Sequence, residues 1–496
     1  MTSKEVSIDV DPESDSQNGV QHLEAQHADI VVDEHLSKKI ARKYDLHLLI
    51  FFTLINLFCF IDRVNIGNVR LLGLAEDLDL NVGLRFNIAL MCMFVPYCVV
   101  ELPANILCKR IGGHIWIPFL VSAFAIITVL TSVVQNRGGL YAARFFLGLV
   151  EGGVSPGLIW LLSQFYKRQE LGLRTNIYVS AASASGAFGG LLAIGLSKIP
   201  DWGLIHRWRN VYFFEGLISL AIGGASWVLI PRGPETAKFL TEEEKKTAVN
   251  RLLVDSAGTA ELGKTSLKHI VQALKSPHVL GCAFGFYLTN TVAQSVAVFV
   301  PSIIRGMGYS NETAQLLSVG PYAVACIISV IAGYLSDKYK DRSMVIIIGA
   351  PVSIVGFFML EFLPNSKPAA KYGALYLAST GYYAFYPMYI TWAANNCATG
   401  TVRAAGVGLV FTLGSLAGVC APWIYLPSDA PGYRTGHAVL LSFLLGTFCT
   451  AIILRFYCKW ENRQKDLGKR DHLLVGLTPL EEQDLSSKHP AFRYML

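Results

Sequence analysis

The chain has 496 residues, of which 52% are hydrophobic and only 16% are charged, and its formal net charge is +6. A soluble protein of this length needs more charge on its surface, and apolar stretches of about 20 residues recur too often to be buried core helices. The composition therefore excludes a soluble globular protein and predicts an all-α polytopic membrane protein. The small basic excess fits cytoplasmic loops and gives no reason to expect a nucleic-acid partner.

The chain starts with a polar tail and continues with apolar spans. Residues 1–45 are rich in Asp, Glu, Ser, Gln and His, a composition that predicts a disordered cytoplasmic tail. No secretory signal precedes the first apolar run, so we expect an uncleaved span there. Twelve transmembrane helices are predicted, at 46–66, 86–106, 115–134, 139–162, 176–197, 211–231, 279–301, 314–335, 344–363, 372–393, 404–425 and 437–457.

The long interior break divides these spans into two six-helix bundles, 46–231 and 279–459. The loop between them, 232–278, contains the amphipathic stretch "TEEEKKTAVNRLLVD", in which Thr241 and Glu244 form a predicted capping box. Lys and Arg flank the first and last spans and recur in this loop. With an even number of spans, these charges predict a multi-pass protein of the cell membrane whose two termini, central loop and tail 460–496 are cytoplasmic.

Two charged residues lie within the fourth span, in "RFFLGLVEGGVSPG". Arg144 and Glu151 are seven residues apart, so they share a face of a helix. Charges at this depth cost several kcal/mol unless they face a partner or a watered cavity, which makes the pair a candidate functional site. The alternative is a buried salt bridge between the two that is only structural.

The first span ends in a second charged pair, in "FIDRVNIGN". Asn56 lies seven residues before Arg63 and so shares its face, which adds more polarity than an interfacial anchor needs. An anchoring ion pair of Asp62 and Arg63 remains the alternative. Glu101 and Glu215 lie nearer to predicted span ends, and there structural roles are favoured.

The polar residues in the spans of the second half are uncharged. Asn290 and Gln294 are four residues apart on one face of the seventh span, and Tyr383 and Trp392 lie in the tenth. Amides and aromatic side chains of this kind suit the orientation of a small organic ligand, although they could equally bridge helices.

Motifs of enzymes are not convincing in this chain. The pattern "GVSPG" matches a nucleophile elbow, but that motif needs a strand-to-helix turn and here lies within a predicted helix, where small residues favour close packing. No P-loop, HExxH or dinucleotide fingerprint occurs. We therefore predict no enzyme, no cofactor and no metal site, and a transport process that takes its energy from a gradient.

Six stretches, in order along the chain, resemble one branch of a known family. They are "FIDRVNIGN", "RFFLGLVEGGVSPG", "RWRNVYFFEGL", "PETAKFLTEEE", "GYLSDKYKDR" and "APGYRTGH". Together they resemble the anion:cation symporters of the major facilitator superfamily, and within them the fungal allantoate permease group, over residues 44 to 465. The resemblance implies the major facilitator fold and the import of carboxylate vitamins or nitrogen compounds. Two departures are Lys109, which stands where the second half has Asp337, and a fifth span without the Gly-Pro signature of drug/proton antiporters.

In more distant relatives, such as bacterial galactonate transporters and sialin, matching pairs on spans one and four handle anion and proton. The resemblance thus implies substrate binding by Arg63 and Arg144 and proton coupling by Asp62 and Glu151. We expect a monomeric, proton-coupled importer of a small organic anion in the lipid bilayer. Export of an acidic secondary metabolite and a non-transporting membrane sensor are the alternatives.

Overall fold

The computed structural model of this protein describes residues 33–496 apart from 204, 258–270, 273, 365, 398–399, 475 and 477–484. Within the described residues the structure is helical, and its only extended pairing is an isolated bridge between Trp202 and Ile205. The principal helices are α1 (Glu34–Tyr44), α2 (Ile50–Val69), α3 (Arg85–Ile111), α4 (Gly113–Thr131), α5 (Arg137–Glu151), α6 (Val154–Ser163), α7 (Arg168–Ser197), α8 (Trp208–Leu229), α9 (Glu242–Ala257), α10 (Pro277–Gly306), α11 (Asn311–Tyr339), α12 (Arg342–Phe362), α13 (Pro368–Phe385), α14 (Met388–Asn395), α15 (Gly400–Ser415) and α16 (Arg434–Asp466).

The predicted all-α membrane fold is confirmed, with one difference in the number of spans. By length and hydropathy, ten helices of the described residues could cross a membrane, and α3, bent by 52° between Glu101 and Pro103, would be an eleventh. The predicted span 372–393 does not meet this standard. It is divided into α13 and α14, because Pro387 has no N–H to donate to the carbonyl four residues earlier.

The predicted fourth span is also broken. Helix α5 ends at Glu151, and α6 begins at Val154 after Gly152 and Gly153. Pro156 has no N–H for the Gly152 carbonyl, which explains why the ladder of hydrogen bonds stops here. Added Cβ atoms at Gly153 and Gly157 would lie 2.7 Å from Ala104 and 2.6 Å from Ile117, respectively, so the small residues of "GVSPG" serve close helix packing, as predicted.

The first half and the central loop are tied together at one end of the molecule. Helix α1 covers part of the tail that composition predicts to be disordered, because it packs on α9: the Lys43 Nζ donates to Glu244 at 2.6 Å. The buried Arg251 of α9 donates to the Ser37 carbonyl at 3.1 Å and to the Phe165 carbonyl at 2.7 Å. At the same end, the Gln272 side chain of the central loop donates to the Leu485 carbonyl, which belongs to the C-terminal residues. We call this end of the molecule the terminal side and the opposite end the far side.

The two halves meet on the far side. There the Gln315 Nε2 of α11 donates to the Asn68 carbonyl of α2 at 3.0 Å, and the Asn87 Nδ2 of α3 donates to the Pro422 carbonyl at 2.5 Å. A Cβ atom at Gly67 would overlap the Val298 carbonyl, so α2 and α10 touch backbone to backbone. These contacts close the far side of the molecule.

The charge of Glu244 gives a stability prediction for the docked α9. The predicted capping box is confirmed, with Glu244 accepting from the Thr241 N–H at 3.0 Å and Thr241 accepting from the Glu244 N–H at 3.3 Å. Burial opposes ionisation of Glu244, but the bonds from Lys43, the Thr241 backbone and Lys39 outweigh it and lower its pKa to about 2. A folded-state pKa below the usual value stabilises the fold above that usual value and loses the contribution as pH falls towards 2.

We expect Glu244→Gln to lower the melting temperature in detergent at pH 7, by an amount corresponding to about 1 kcal/mol, since its lysine partners are partly exposed. The difference from the wild type should stay constant between pH 7 and 5 and shrink below about pH 4.5. Glu243→Gln, an exposed neighbour, is the matched control. Equal melting of both variants at pH 7 would contradict the docking role.

Candidate functional site

The centre of the site is an ion pair between two helices of the first half. The Arg63 Nε of α2 donates to the Glu151 Oε2 of α5 at 2.7 Å, and the two side chains are 5% and 0% exposed. The guanidinium carbon lies 4.6 Å from the centre of the Tyr97 ring on α3. After these contacts the Arg63 Nη2 and the Glu151 Oε1 have no hydrogen-bond partner. The pair therefore keeps an NH2 group and a carboxylate oxygen that are free to bind a ligand.

Arg144 is part of the same cluster but has different partners. Its Nη2 donates to the Tyr212 hydroxyl of α8, and its Nη1 lies 3.5 Å from the Asp62 carbonyl. The Asp62 carboxylate accepts from the Thr128 hydroxyl of α4 at 2.5 Å. Arg144 and Glu151 do share the buried face of α5, but the salt bridge between them that we weighed as an alternative is absent, because Glu151 reaches Arg63 instead.

The second half supplies polar groups opposite Arg63. The break after α13 places Tyr386 where its hydroxyl donates to the Asn290 Oδ1 at 3.0 Å, while the Asn290 Nδ2 donates to the Gly414 carbonyl at 2.8 Å. Tyr386 is within electrostatic range of Tyr97 and Arg63. The site thus lies between the halves, with the cation from the first half and the hydroxyl and amide from the second.

Other residues that the sequence singles out lie around this centre or away from it. Gln294 is half-buried one turn beyond Asn290, and Tyr383 is buried with its ring 6.4 Å from that of Tyr386. Asn56 bonds to Tyr178, from which it accepts at 2.9 Å and to whose carbonyl it donates at 3.1 Å. Its hydrogen bonds therefore join α2 to α7 rather than reach towards Arg63.

Trp392 does not lie in the site. Its Nε1 donates to the Met495 carbonyl at 2.8 Å, and Asn396 exchanges two hydrogen bonds with the same residue. The break at Pro387 and the packing of residues 485–496 against the second half place Trp392 on the terminal side. An indole in an apolar span gave no signal in the sequence that distinguishes a ligand contact from an anchor for the C-terminal residues.

Five residues that lie around this centre were not assigned to it from sequence. Tyr97, Tyr212 and Tyr386 are tyrosines in apolar spans with no neighbouring motif, so nothing in the sequence marks them. Glu101 and Glu215, for which structural roles were favoured, both join the site: Glu101 is buried within electrostatic range of Arg63 and faces Ser415 across the halves, and Glu215 accepts from Asn65. Their intramembrane charge was the signal that should have placed them there.

Comparisons with known proteins agree with this architecture. The sequence profile described as Major Facilitator Superfamily matches residues 52–422. The chain is 32% identical to the MFS-type transporter cnsO of Penicillium expansum, with 92% of this chain and 90% of that protein covered, and 34% identical to an uncharacterized transporter of Schizosaccharomyces pombe, with 88% and 89% covered. The inward-open structure of the xylose transporter XylE from E. coli superposes with a TM-score of 0.62 at 13% identity, covering 82% of this chain and 96% of that one.

The profile covers most of the chain, and the relatives that match over about nine-tenths of their own length are named as transporters. The structural likeness to XylE, at low identity, speaks for the fold alone. The chain is therefore not an enzyme but a multi-pass membrane transporter, and it belongs to the major facilitator superfamily.

Proposed function

We propose that this protein imports a small organic anion together with a proton, as the anion:cation symporter branch and the allantoate permease group do. The ion pair of Arg63 and Glu151 carries the proposal. A guanidinium with a free N–H in a buried site binds a carboxylate through two parallel hydrogen bonds better than it binds a neutral ligand. A carboxylate vitamin or a nitrogen-containing acid is the substrate class that fits.

The same pair supplies a coupling step. An incoming carboxylate competes with Glu151 for Arg63, and a buried Glu151 that loses its cation is stabilised by taking up a proton. Anion binding and protonation then favour one another, so a proton gradient can concentrate the anion. Asp62 is the alternative proton carrier, since its carboxylate keeps Oδ1 without a partner.

The closed far side supports an opening towards the terminal side. If the termini are cytoplasmic, the closed far side faces the outside, as an importer of the cell membrane needs when it releases its substrate into the cell. The site is built within one chain, which supports a monomer as the functional unit. Tyr386 and Asn290 would orient the organic part of the substrate, with Tyr383 and Gln294 behind them.

Uptake by proteoliposomes of a panel of radiolabelled acids tests the proposal. We expect at least one monocarboxylate to accumulate when the outside is acidic, and a matched neutral amide of that acid to fail. Accumulation that needs the opposite pH gradient would make the protein an exporter, and no movement of any acid or amide would contradict the proposal. Cysteine labelling of residues in the tails from one side of intact cells tests the orientation.

A further inference from the structure

A second polar pair lies beside the ion pair, between α2 and α8. The Asn65 Nδ2 donates to the Glu215 Oε2, and both side chains belong to residues that are 1% exposed. This contact is one turn along α2 from Asp62. No role in binding the anion follows from it, because it presents no cation.

The unpaired atoms of these two residues show what the pair lacks. With that bond made, the Asn65 Oδ1 and the Glu215 Oε1 are both buried without a partner. In an ionised Glu215 both atoms are acceptors, so neither can satisfy the other. A proton on Oε1 turns it into a donor for the Asn65 Oδ1, and the acid and the amide then make two hydrogen bonds. One added proton would therefore give both unpaired oxygens a hydrogen-bond partner.

The charges around Glu215 agree with this count. The charged groups that act on it are Asp62 of α2 and Arg144 and Glu151 of α5, with Tyr212 on its own helix. From α4, which packs against Gly216, the nearby polar group is the Thr128 hydroxyl that binds Asp62. Arg63 and Arg144 already face three other carboxyl groups, those of Asp62, Glu101 and Glu151. An ionised Glu215 would therefore be a further buried charge without a cation of its own.

The position of the pair is between the far-side closure and the central cluster. Along α2, Asn65 is three residues from Asp62 on one side and three residues from Asn68 on the other. Asn68 accepts the Gln315 bond that joins the halves. One helical turn, about 5 Å, therefore separates Asn65 from each of them. When the contact between Gln315 and Asn68 opens, Asn65 and Glu215 are the polar side chains that lie between it and Asp62.

We propose that Glu215 and Asn65 form a proton-binding site of the transport cycle, loaded from the far side and discharged to the central carboxylates. The inference rests on the proposed proton coupling. In loading, a hydronium ion from the far side gives up a proton and leaves as water: its O–H bond breaks and an O–H bond forms at the Glu215 Oε1, which then donates to the Asn65 Oδ1. In discharge that O–H bond breaks and the proton moves to Asp62, whose Oδ1 has no partner. No electrons are transferred.

Glu215→Gln tests the site, because the amide keeps the shape and the two hydrogen bonds but cannot release a proton. Infrared difference spectra of purified protein at neutral pH should lose one band of a protonated carboxyl group. In proteoliposomes, substrate counterflow should persist, whereas accumulation driven by pH should fall by about tenfold or more. Glu312→Gln, an exposed carboxyl on α11, is the matched control and should change neither.

Unchanged carboxyl bands in Glu215→Gln would overturn the site, as would accumulation equal to that of the wild type. If the variant gives too little folded protein, Asn65→Ser replaces the amide by a hydroxyl, and the carboxyl band must shift in frequency; an unshifted band overturns the site. If the wild type accumulates no acid at all, the proposed function fails, and the infrared band alone still decides whether Glu215 binds a proton.

Discussion

Glu151→Gln should lower the accumulation of substrate against its gradient by about tenfold or more, while exchange of substrate across the membrane continues. The amide oxygen can still accept from the Arg63 Nε, which now donates at 2.7 Å, so the site keeps its shape. What the variant cannot do is take up a proton when the anion captures Arg63. Movement between the two states then no longer depends on protonation, and the gradient is not used.

The paired measurement is counterflow and pH-driven uptake on the same folded protein. If Glu151 is only half of a structural salt bridge, the loss of its charge leaves Arg63 buried and unpaired, at a cost of about 3–5 kcal/mol. Thermal stability, counterflow and accumulation would then fail together. Glu361→Gln, a carboxyl on α12 outside the cluster, is the control for the amide replacement. A stable Glu151→Gln that accumulates substrate would transfer the proton-carrying role to Asp62.

Arg63→Lys should raise the KM for the anion by about tenfold or more, a loss of about 1.4 kcal/mol, with normal expression. The ammonium keeps the charge beside Glu151. It loses the planar guanidinium with its free Nη2 donor, and it loses the position of that group over the Tyr97 ring. These are the features with which Arg63 binds a carboxylate in our proposal.

Arg144→Lys is the matched comparison, because Arg144 is also buried in the cluster. Its guanidinium contacts Tyr212, the Asp62 carbonyl and Met93, and only its Nε has no partner. We therefore expect a smaller effect on KM and a larger effect on stability than at Arg63. A larger rise of KM in Arg144→Lys would place the anion on Arg144.

The sequence by itself determined the kind of protein and identified the charged residues whose burial in a membrane costs the most free energy. Long apolar spans predict membrane helices because backbone groups in lipid must bond within a helix, and the charged residues among them stand out because burial of a charge is expensive. Asp62, Arg63, Arg144 and Glu151 were found on that basis, and the structure brings all four together. The capping box at Thr241 and Glu244 could also be predicted, since it depends only on residues three positions apart.

Only the tertiary structure decided which of these residues are partners. Spacing along one helix predicts that Arg144 and Glu151 share a face, and a salt bridge between them was only an alternative. Partners in a bundle come from neighbouring helices, whose rotation and depth no local pattern specifies. The same limit explains Trp392 and Tyr386: the break at Pro387 turns one towards the C-terminal residues and the other towards Arg63. Glu215 is a further example. Its role as a proton site could not be predicted from sequence, because it depends on the unpaired oxygen of Asn65 on another helix.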